Sequence, residues 1–266
     1  MNILIVGDIC GKEGRAEAQK WIPILHDEYN IDMVIANGEN SAGGVGITKK
    51  VLDELFSIQI DVVTSGNHIW DKKEIFSFID FEDYLIRPAN YPPDTPGKGY
   101  CVFECKGKKV GVINLLGRTF MPAMDCPFRK ADEIIGAIQK DCDYIILDFH
   151  AETTSEKMAM GWYLDGRVSC VVGTHTHIQT ADERILPQGT GYITDLGMVG
   201  PWDSILGVDK DLILKKFLTG LPVKFELAKG AKVFSAIIIH INECNGKVKK
   251  IFRILEKDLL KKIEKM

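Results

Sequence analysis

The fold class this sequence of 266 residues predicts is α/β, with two sheets flanked by helices. Short apolar, β-branched runs recur at residues 3–6, 33–36, 62–64, 110–114, 144–147 and 168–172 and read as strands. Longer segments of mixed polarity and helical spacing, at 13–29, 49–58 and 129–140, separate several of them. Strands alternating with helices imply crossover connections and a largely parallel sheet. The later chain differs: residues 234–241 and 247–254, joined by Asn245-Gly246, read as an antiparallel hairpin with a tight primed turn. That hairpin calls for a second, antiparallel portion, hence a mixed architecture.

The remaining segments fit around this frame. Residues 87–99 hold four prolines and two glycines, a loop placed to form a wall of a site. The lysine-rich residues 257–266 read as a solvated helix end. No repeat, low-complexity tract or linker divides the chain, so residues 1–266 are expected to form a single domain.

Composition excludes several classes. Hydrophobic content of 45% with 26% charged residues is ordinary for a globular chain with a sizeable core. A net charge of -4 argues against a long nucleic-acid groove, yet permits a compact anionic ligand whose charge bound metal ions would meet. The start, Met1 to Asp8, lacks a basic region and meets an acid too early for a signal peptide, and no apolar run approaches a membrane span. Seven cysteines without a C-x-x-C pair suit reduced thiols, so the expected location is the cytoplasm. A homo-oligomer is left open.

The chemistry is concentrated at the carboxyl end of each apolar run. The run at 3–6 ends in Gly7-Asp8, that at 33–36 in Asn37-Gly38-Glu39-Asn40, and that at 62–64 in Ser65-Gly66-Asn67-His68. The run at 144–147 ends in Asp148-Phe149-His150, and that at 168–172 in Gly173-Thr174-His175-Thr176-His177. Ligands of open α/β sheets bind at the carboxyl ends of the strands. Glycine before four of these groups lets the backbone approach a small charged object. His175 and His177, two apart, would point the same way in extended backbone. Taken singly, each has a plainer reading: Asp8 as a helix cap, Asn40 and Asn67 as turn formers, His68 and His150 as core histidines. Five such endings on one edge of one sheet point instead to a metal centre.

Mixed imidazole, carboxylate and carboxamide donors suit Mn, Fe or Zn rather than a structural thiolate site. The groups are too many for one ion. Two ions sharing a carboxylate use them all, and such a pair fits phosphate-ester hydrolysis.

The ordered series Gly7-Asp8, Gly38-Glu39-Asn40, Gly66-Asn67-His68, His150 and Gly173-Thr174-His175-Thr176-His177 resembles the metallophosphoesterase (calcineurin-like) motif set. The "NGEN" and "VVGTHTHIQTAD" segments are more closely similar to its YmdB branch of bacterial phosphodiesterases, over nearly the whole chain. The resemblance implies an αββα four-layer sandwich of two mixed sheets. It further implies two transition-metal ions, iron or manganese first and zinc after them, with activity on phosphodiesters including cyclic nucleotides. The superfamily usually opens with Asp-x-His, whereas this chain has Asp8-Ile9-Cys10, and its bridging aspartate is here Glu39. Asn40 is the natural replacement for the missing imidazole, with Cys10 as a lesser alternative.

Carried over by resemblance, one ion falls to Asp8, Glu39, Asn40 and His177. The other falls to Asn67, His150 and His175, with Glu39 bridging. A water or hydroxide between the ions is then the nucleophile, and His68 the general acid toward the leaving oxygen. The expected substrate is a small nucleotide phosphodiester, a 2′,3′- or 3′,5′-cyclic nucleotide, with Tyr91, Tyr100, Phe120 and Met121 as apolar walls. Arg118 and Thr119 read equally as pocket or surface turn; His26, His240, Trp70 and Trp162 read as structural or rim residues. No G-x-S-x-G elbow is present, and Gly7 to Glu13 has the wrong spacing for a P-loop. The rival readings are a metal-binding sensor of phosphorylated ligands and a phosphomonoesterase or nuclease on the same centre.

Overall fold

A computed structural model describes residues 1–258. The chain runs β1 (Asn2–Val6), β2 (Asp8–Ile9), α1 (Gly11–Tyr29), β3 (Met33–Asn37), α2 (Lys49–Ser57) and β4 (Val62–Thr64). It continues through β5 (Tyr100–Cys105), β6 (Lys108–Leu116), α3 (Pro127–Ile138), β7 (Tyr144–His150), α4 (Thr154–Leu164) and β8 (Cys170–Thr174). The last third holds β9 (Arg184–Ile185), β10 (Gly191–Ile193), β11 (Met198–Pro201), α5 (Lys210–Thr219), β12 (Lys232–Ile241) and β13 (Val248–Asp258).

Two mixed sheets form. In the first the order is β2-β11-β12-β1-β3-β4, with β13 also on β12; β1, β3 and β4 are parallel while β12 runs against β1. The second has the order β5-β6-β7-β8-β10-β9, parallel from β6 through β10.

Alternation along the strands builds four layers. Leu4 and Val6 of β1 turn outward to Ala18, Ile22 and Leu25 of α1 and Leu52 and Leu55 of α2. Ile3 and Ile5 turn inward and meet Val110, Val112, Ile146 and Val172 of the other sheet. Beyond that sheet, Leu147 and Phe149 pack on α3 and α4 through Ile134, Ile138 and Met160. Strands covered on both faces need apolar side chains at every position, which is why β1, β3, β7 and β8 read as continuous hydrophobic runs.

The hairpin of β12 and β13 is present, but its turn is not the tight one expected. Asn242 N–H donates to Lys247 O and Gly246 N–H to Asn242 O, closing a longer loop, and of Asn245-Gly246 only the glycine has positive φ. The two-residue turn with both positions left-handed lies instead at Lys106-Gly107 (φ 50° and 73°), between β5 and β6. Lys257 and Asp258 belong to β13 rather than to a helix, and the rest of the 257–266 segment lies outside the described residues.

Candidate metal centre

The site forms where the two sheets meet, not on one sheet as expected. β1 delivers the chain to Asp8, β3 to Glu39 and Asn40, and β4 to Asn67 and His68; all three belong to the first sheet. His150 ends β7 and His175 comes directly after β8, both of the second. Equivalent strand ends in two face-to-face sheets thus supply opposite walls of one cluster.

Close approach dictates the glycine before Asn67. A Cβ on Gly66 would lie 2.3 Å from both Glu39 Oε2 and His150 Nε2, so any side chain there would occupy the cluster itself. Gly173 has the same role behind it, its Cβ position falling 1.8 Å from Thr194 O.

His150 is the hub. Its Nε2 lies 3.1 Å from Glu39 Oε1, 3.1 Å from Asn67 Oδ1 and 3.0 Å from His175 Nδ1. Ligand atoms of Glu39, His150 and His175 fall within 4.8 Å of one another, a group able to hold a metal ion. On the other flank His177 Nε2 lies 3.2 Å from Asn40 Nδ2 and 3.8 Å from Asp8 Oδ1. A half-turn of the Asn40 amide presents its oxygen there instead. All seven residues expected as ligands are therefore brought together.

His175 and His177 reach the cluster by a route different from strand alternation. β8 stops at Thr174, and the two histidines take φ of 96° and 64°. Left-handed backbone at non-glycine residues is costly and persists only where surroundings hold it. Behind the loop, Thr176 donates its N–H (3.1 Å) and Oγ1–H (2.6 Å) to Asp195 Oδ2, which also pairs with Lys157.

Each imidazole can present a lone pair inward once its inner nitrogen is deprotonated, because its other nitrogen faces an acceptor. His150 Nδ1 donates to Thr174 Oγ1 (2.9 Å), whose hydroxyl donates to buried Asp148 (2.7 Å). The register pairing His150 with Thr174 across β7 and β8 sets that chain. His177 Nδ1 donates to Leu206 O (3.1 Å), and His175 Nε2 pairs with Glu152 Oε2 (3.0 Å). Partners of this kind fix the tautomer and orientation of metal-ligating histidines. The sequence pattern did not single out Asp148, Glu152 or Thr174 for this role; the i, i+2 relation of Asp148 to His150 on one strand was the available signal.

The electrostatics suit a cation among these donors. Burial pushes the Asp8 carboxyl far above the usual carboxylate range, and its Oδ1 has no hydrogen-bond partner among the described residues. Burial also pushes Glu39 up, but His150 and His68 outweigh it and hold the carboxyl below its ordinary value. His150 shows the converse: burial opposes its charge, yet Glu39, Asp8 and Asp148 raise it to about 9. Burial and then the His150 charge lower His175 to about 3. An orphaned carboxylate oxygen, a buried glutamate and imidazole nitrogens gathered within reach of them form a donor set that fits divalent metal ions.

His68 stands at the rim. Its N–H donates to Glu39 Oε2 (3.1 Å), while its ring Nδ1 donates to Asp71 Oδ2 (2.8 Å) and its side chain lines the cavity over the cluster. Cys10 packs with Met198 and Val233, and burial pushes its thiol up to about 12.

The walls differ from those expected. A cavity of about 370 Å³ opens on Glu39, Asn40, His68, His175 and His177, and most of its apolar lining comes from residues 205–227, with Val45 beside them. Tyr91 and Tyr100 line a separate hollow with Lys130, and Phe120 is 89% exposed in a left-handed turn. Arg118 and Thr119 form an exposed turn whose N–H groups donate to Glu156. Trp70 stacks on Phe76, and Trp162 lies under the Arg184 guanidinium, both as rim packing.

Comparison with known proteins covers the whole of this site. The model of the family described as YmdB-like protein matches residues 4–254. The chain is 53% identical over 258 residues to the 2′,3′-cyclic-nucleotide 2′-phosphodiesterase of Bacillus subtilis (strain 168), covering 97% of this chain and 98% of that protein. The crystal structure of a hypothetical protein from Thermus thermophilus superimposes with a TM-score of 0.91 at 40% identity, over 97% of this chain and 99% of that one. A Mycoplasma pneumoniae structure described as a novel phosphatase gives a TM-score of 0.91 at 34% identity, over 97% of this chain and 93% of the other.

Proposed function

This chain belongs to the YmdB-like protein family, and from that premise we propose that it is a metal-dependent phosphodiesterase of small cyclic nucleotides. The observation that carries the reading is the convergence of His150 and His175, each with its outer nitrogen tied to an acceptor, on the buried Glu39, with His177 set beside Asp8 and Asn40. The activity of the Bacillus subtilis relative, at 53% identity over the full length, supports the substrate class.

Asp8, Glu39, Asn40 and His177 would hold one metal ion and Asn67, His150 and His175 a second, with Glu39 available to both. This donor set suits manganese, iron or zinc, and the family resemblance puts iron or manganese first. Bound there, the ions supply Lewis acidity toward the phosphate and lower the pKa of the attacking water. His68 carries the remaining proton transfer. Asp71 holds its Nδ1–H and so orients the ring, leaving Nε2 to give a proton to the leaving oxygen. Gly66 leaves the space that the donors need.

The whole chain acts as one domain, a reading supported by the shared core between its sheets. No helix among the described residues is long and apolar enough to cross a membrane, and the seven cysteines are free, which supports a place in the cytoplasm. A net charge of -4 argues against a long polyanion as substrate.

The test is a panel of phosphate esters given to manganese- and iron-loaded protein. Hydrolysis of 2′,3′- or 3′,5′-cyclic nucleotides to monophosphates, with little inorganic phosphate, is expected. Phosphate release from nucleoside monophosphates with cyclic nucleotides left intact would make it a monoesterase instead.

A further inference from the structure

The cavity over the metal ligands has two chemically different ends. One is polar and holds Glu39, Asn40, His68, His175 and His177. The other is built by the 205–227 excursion and is apolar, with Leu206, Val208, Phe217, Phe225 and Leu227 around a single cation, Lys216. Local structure explains how two phenylalanines come to line one cavity. Asp209 caps α5, accepting from Asp211 N (2.9 Å) and Leu212 N (3.3 Å); Gly220, at φ 70°, ends it. The chain then returns beside its own start: Asp209 N–H donates to Glu226 O, and Val208 bridges Leu227. Phe217 on the helix and Phe225 on the returning segment thus line the same cavity, and Lys216 Nζ lies 4.7 Å from the Phe225 ring centroid.

Both rings are left uncovered by the protein itself, Phe217 at 76% and Phe225 at 52% exposure. Exposed aromatics continuous with a phosphate-binding centre fit a flat, uncharged, aromatic group attached to that phosphate. We propose that Phe217 and Phe225, with Lys216, form the subsite for the nucleobase of the phosphodiester. The inference rests on the function proposed above and names its substrate-selecting residues.

The same lining sets its selectivity. Apart from Lys216 and the buried Cys10 thiol, the apolar end offers no side-chain donor or acceptor. Strong discrimination between bases needs buried polar partners that a wrong base leaves unpaired. Stacking on phenylalanine accepts every base, because each has a π-face. The subsite therefore separates nucleotides from base-free phosphodiesters far better than it separates one base from another.

The experiment compares 2′,3′-cyclic AMP with ribose 2′,3′-cyclic phosphate, which carries no base. The ratio of their kcat/KM values measures the base contribution. Phe225→Ala and Phe217→Ala are each expected to lower this ratio about tenfold, whereas Leu214→Ala, on the same helix but outside the cavity lining, leaves it in place. Equilibrium binding supplies a second readout: the gap in affinity between adenosine 3′-monophosphate and inorganic phosphate narrows by the same factor. An unchanged ratio and an unchanged gap in both phenylalanine variants would overturn the subsite. Wild-type protein inert toward every cyclic nucleotide would overturn the proposed function instead, and the binding measurement would still decide the subsite.

Discussion

Lys157 Nζ lies 2.6 Å from Asp195 Oδ2 with both side chains sealed from solvent, directly behind the loop that carries His175 and His177. The same carboxylate accepts from Thr176 N, Thr176 Oγ1 and Gly197 N. One buried ion pair thus ties α4, β10 and the β8 exit together and holds two histidines in left-handed backbone.

Removing one partner of such a pair leaves an uncompensated buried charge. Lys157→Met is expected to lower unfolding stability by about 3–5 kcal/mol, read from urea denaturation, and to lower metal content as the Thr176 anchor loosens. Adding Asp195→Asn should recover part of the stability, since it removes the unpaired buried charge while its amide oxygen can still accept from Thr176. Unfolding of Lys157→Met at the wild-type urea midpoint would show that the pair contributes nothing.

The carboxylates make separable predictions. Glu39 sits between both groups of donors, whereas Asp8 touches only the His177 flank and His175 N. Glu39→Gln should deplete both ions, and Asp8→Asn mainly one, by elemental analysis of purified protein. Retention of two ions per chain in Glu39→Gln would remove the bridging role.

How far the sequence disclosed this arrangement depended on the physical origin of each feature. β1, β3, β4 and β7 were legible because burial on both faces demands unbroken apolar runs, and the donors stand at their ends. Which sheet each strand joins was not legible, since that depends on long-range pairing such as β12 with β1, across 240 residues. The α4 segment hid because Lys157 lies on its buried side, where helical patterning predicts an apolar residue. The cavity wall was misplaced for a related reason. Tyr91, Tyr100, Phe120 and Met121 lie near prolines and glycines that suggest a loop, but only folding shows that 205–227 covers the cluster.

Metal affinity should rise with pH. His150, at about 9 in the metal-free protein, is protonated at neutral pH and must release that proton to bind an ion. Its folded pKa is raised, so its stabilisation of the metal-free fold is complete below about 6.5 and fades as pH climbs through about 9. His175 has the opposite sign: its pKa falls to about 3, so it is neutral at neutral pH, and stability is lost as pH drops from about 6.5 through that value. Calorimetric titration of manganese into metal-free protein at pH 7, in buffers of different ionisation enthalpy, should report release of about one proton or more. No proton release and an affinity independent of pH would mean that His150 is not a ligand.

The last prediction concerns His68, which lines the same cavity as Glu39, His175 and His177 and whose ring is held at the rim by Asp71. His68→Ala should keep both metal ions. It should also lower kcat by about 10²–10⁴-fold for a cyclic nucleotide, whose alkoxide leaving group needs a proton. A p-nitrophenyl ester leaves as a stable phenolate, so the same variant should lose far less activity on it. Asp71→Asn keeps a hydrogen-bond acceptor for the ring Nδ1–H and should fall between the two. The contrast separates proton donation from simple positioning, because a ring that only oriented the phosphate would cost both substrates equally. Equal losses for the two leaving groups would assign His68 to electrostatic or positional stabilisation and leave the leaving oxygen to be protonated by water.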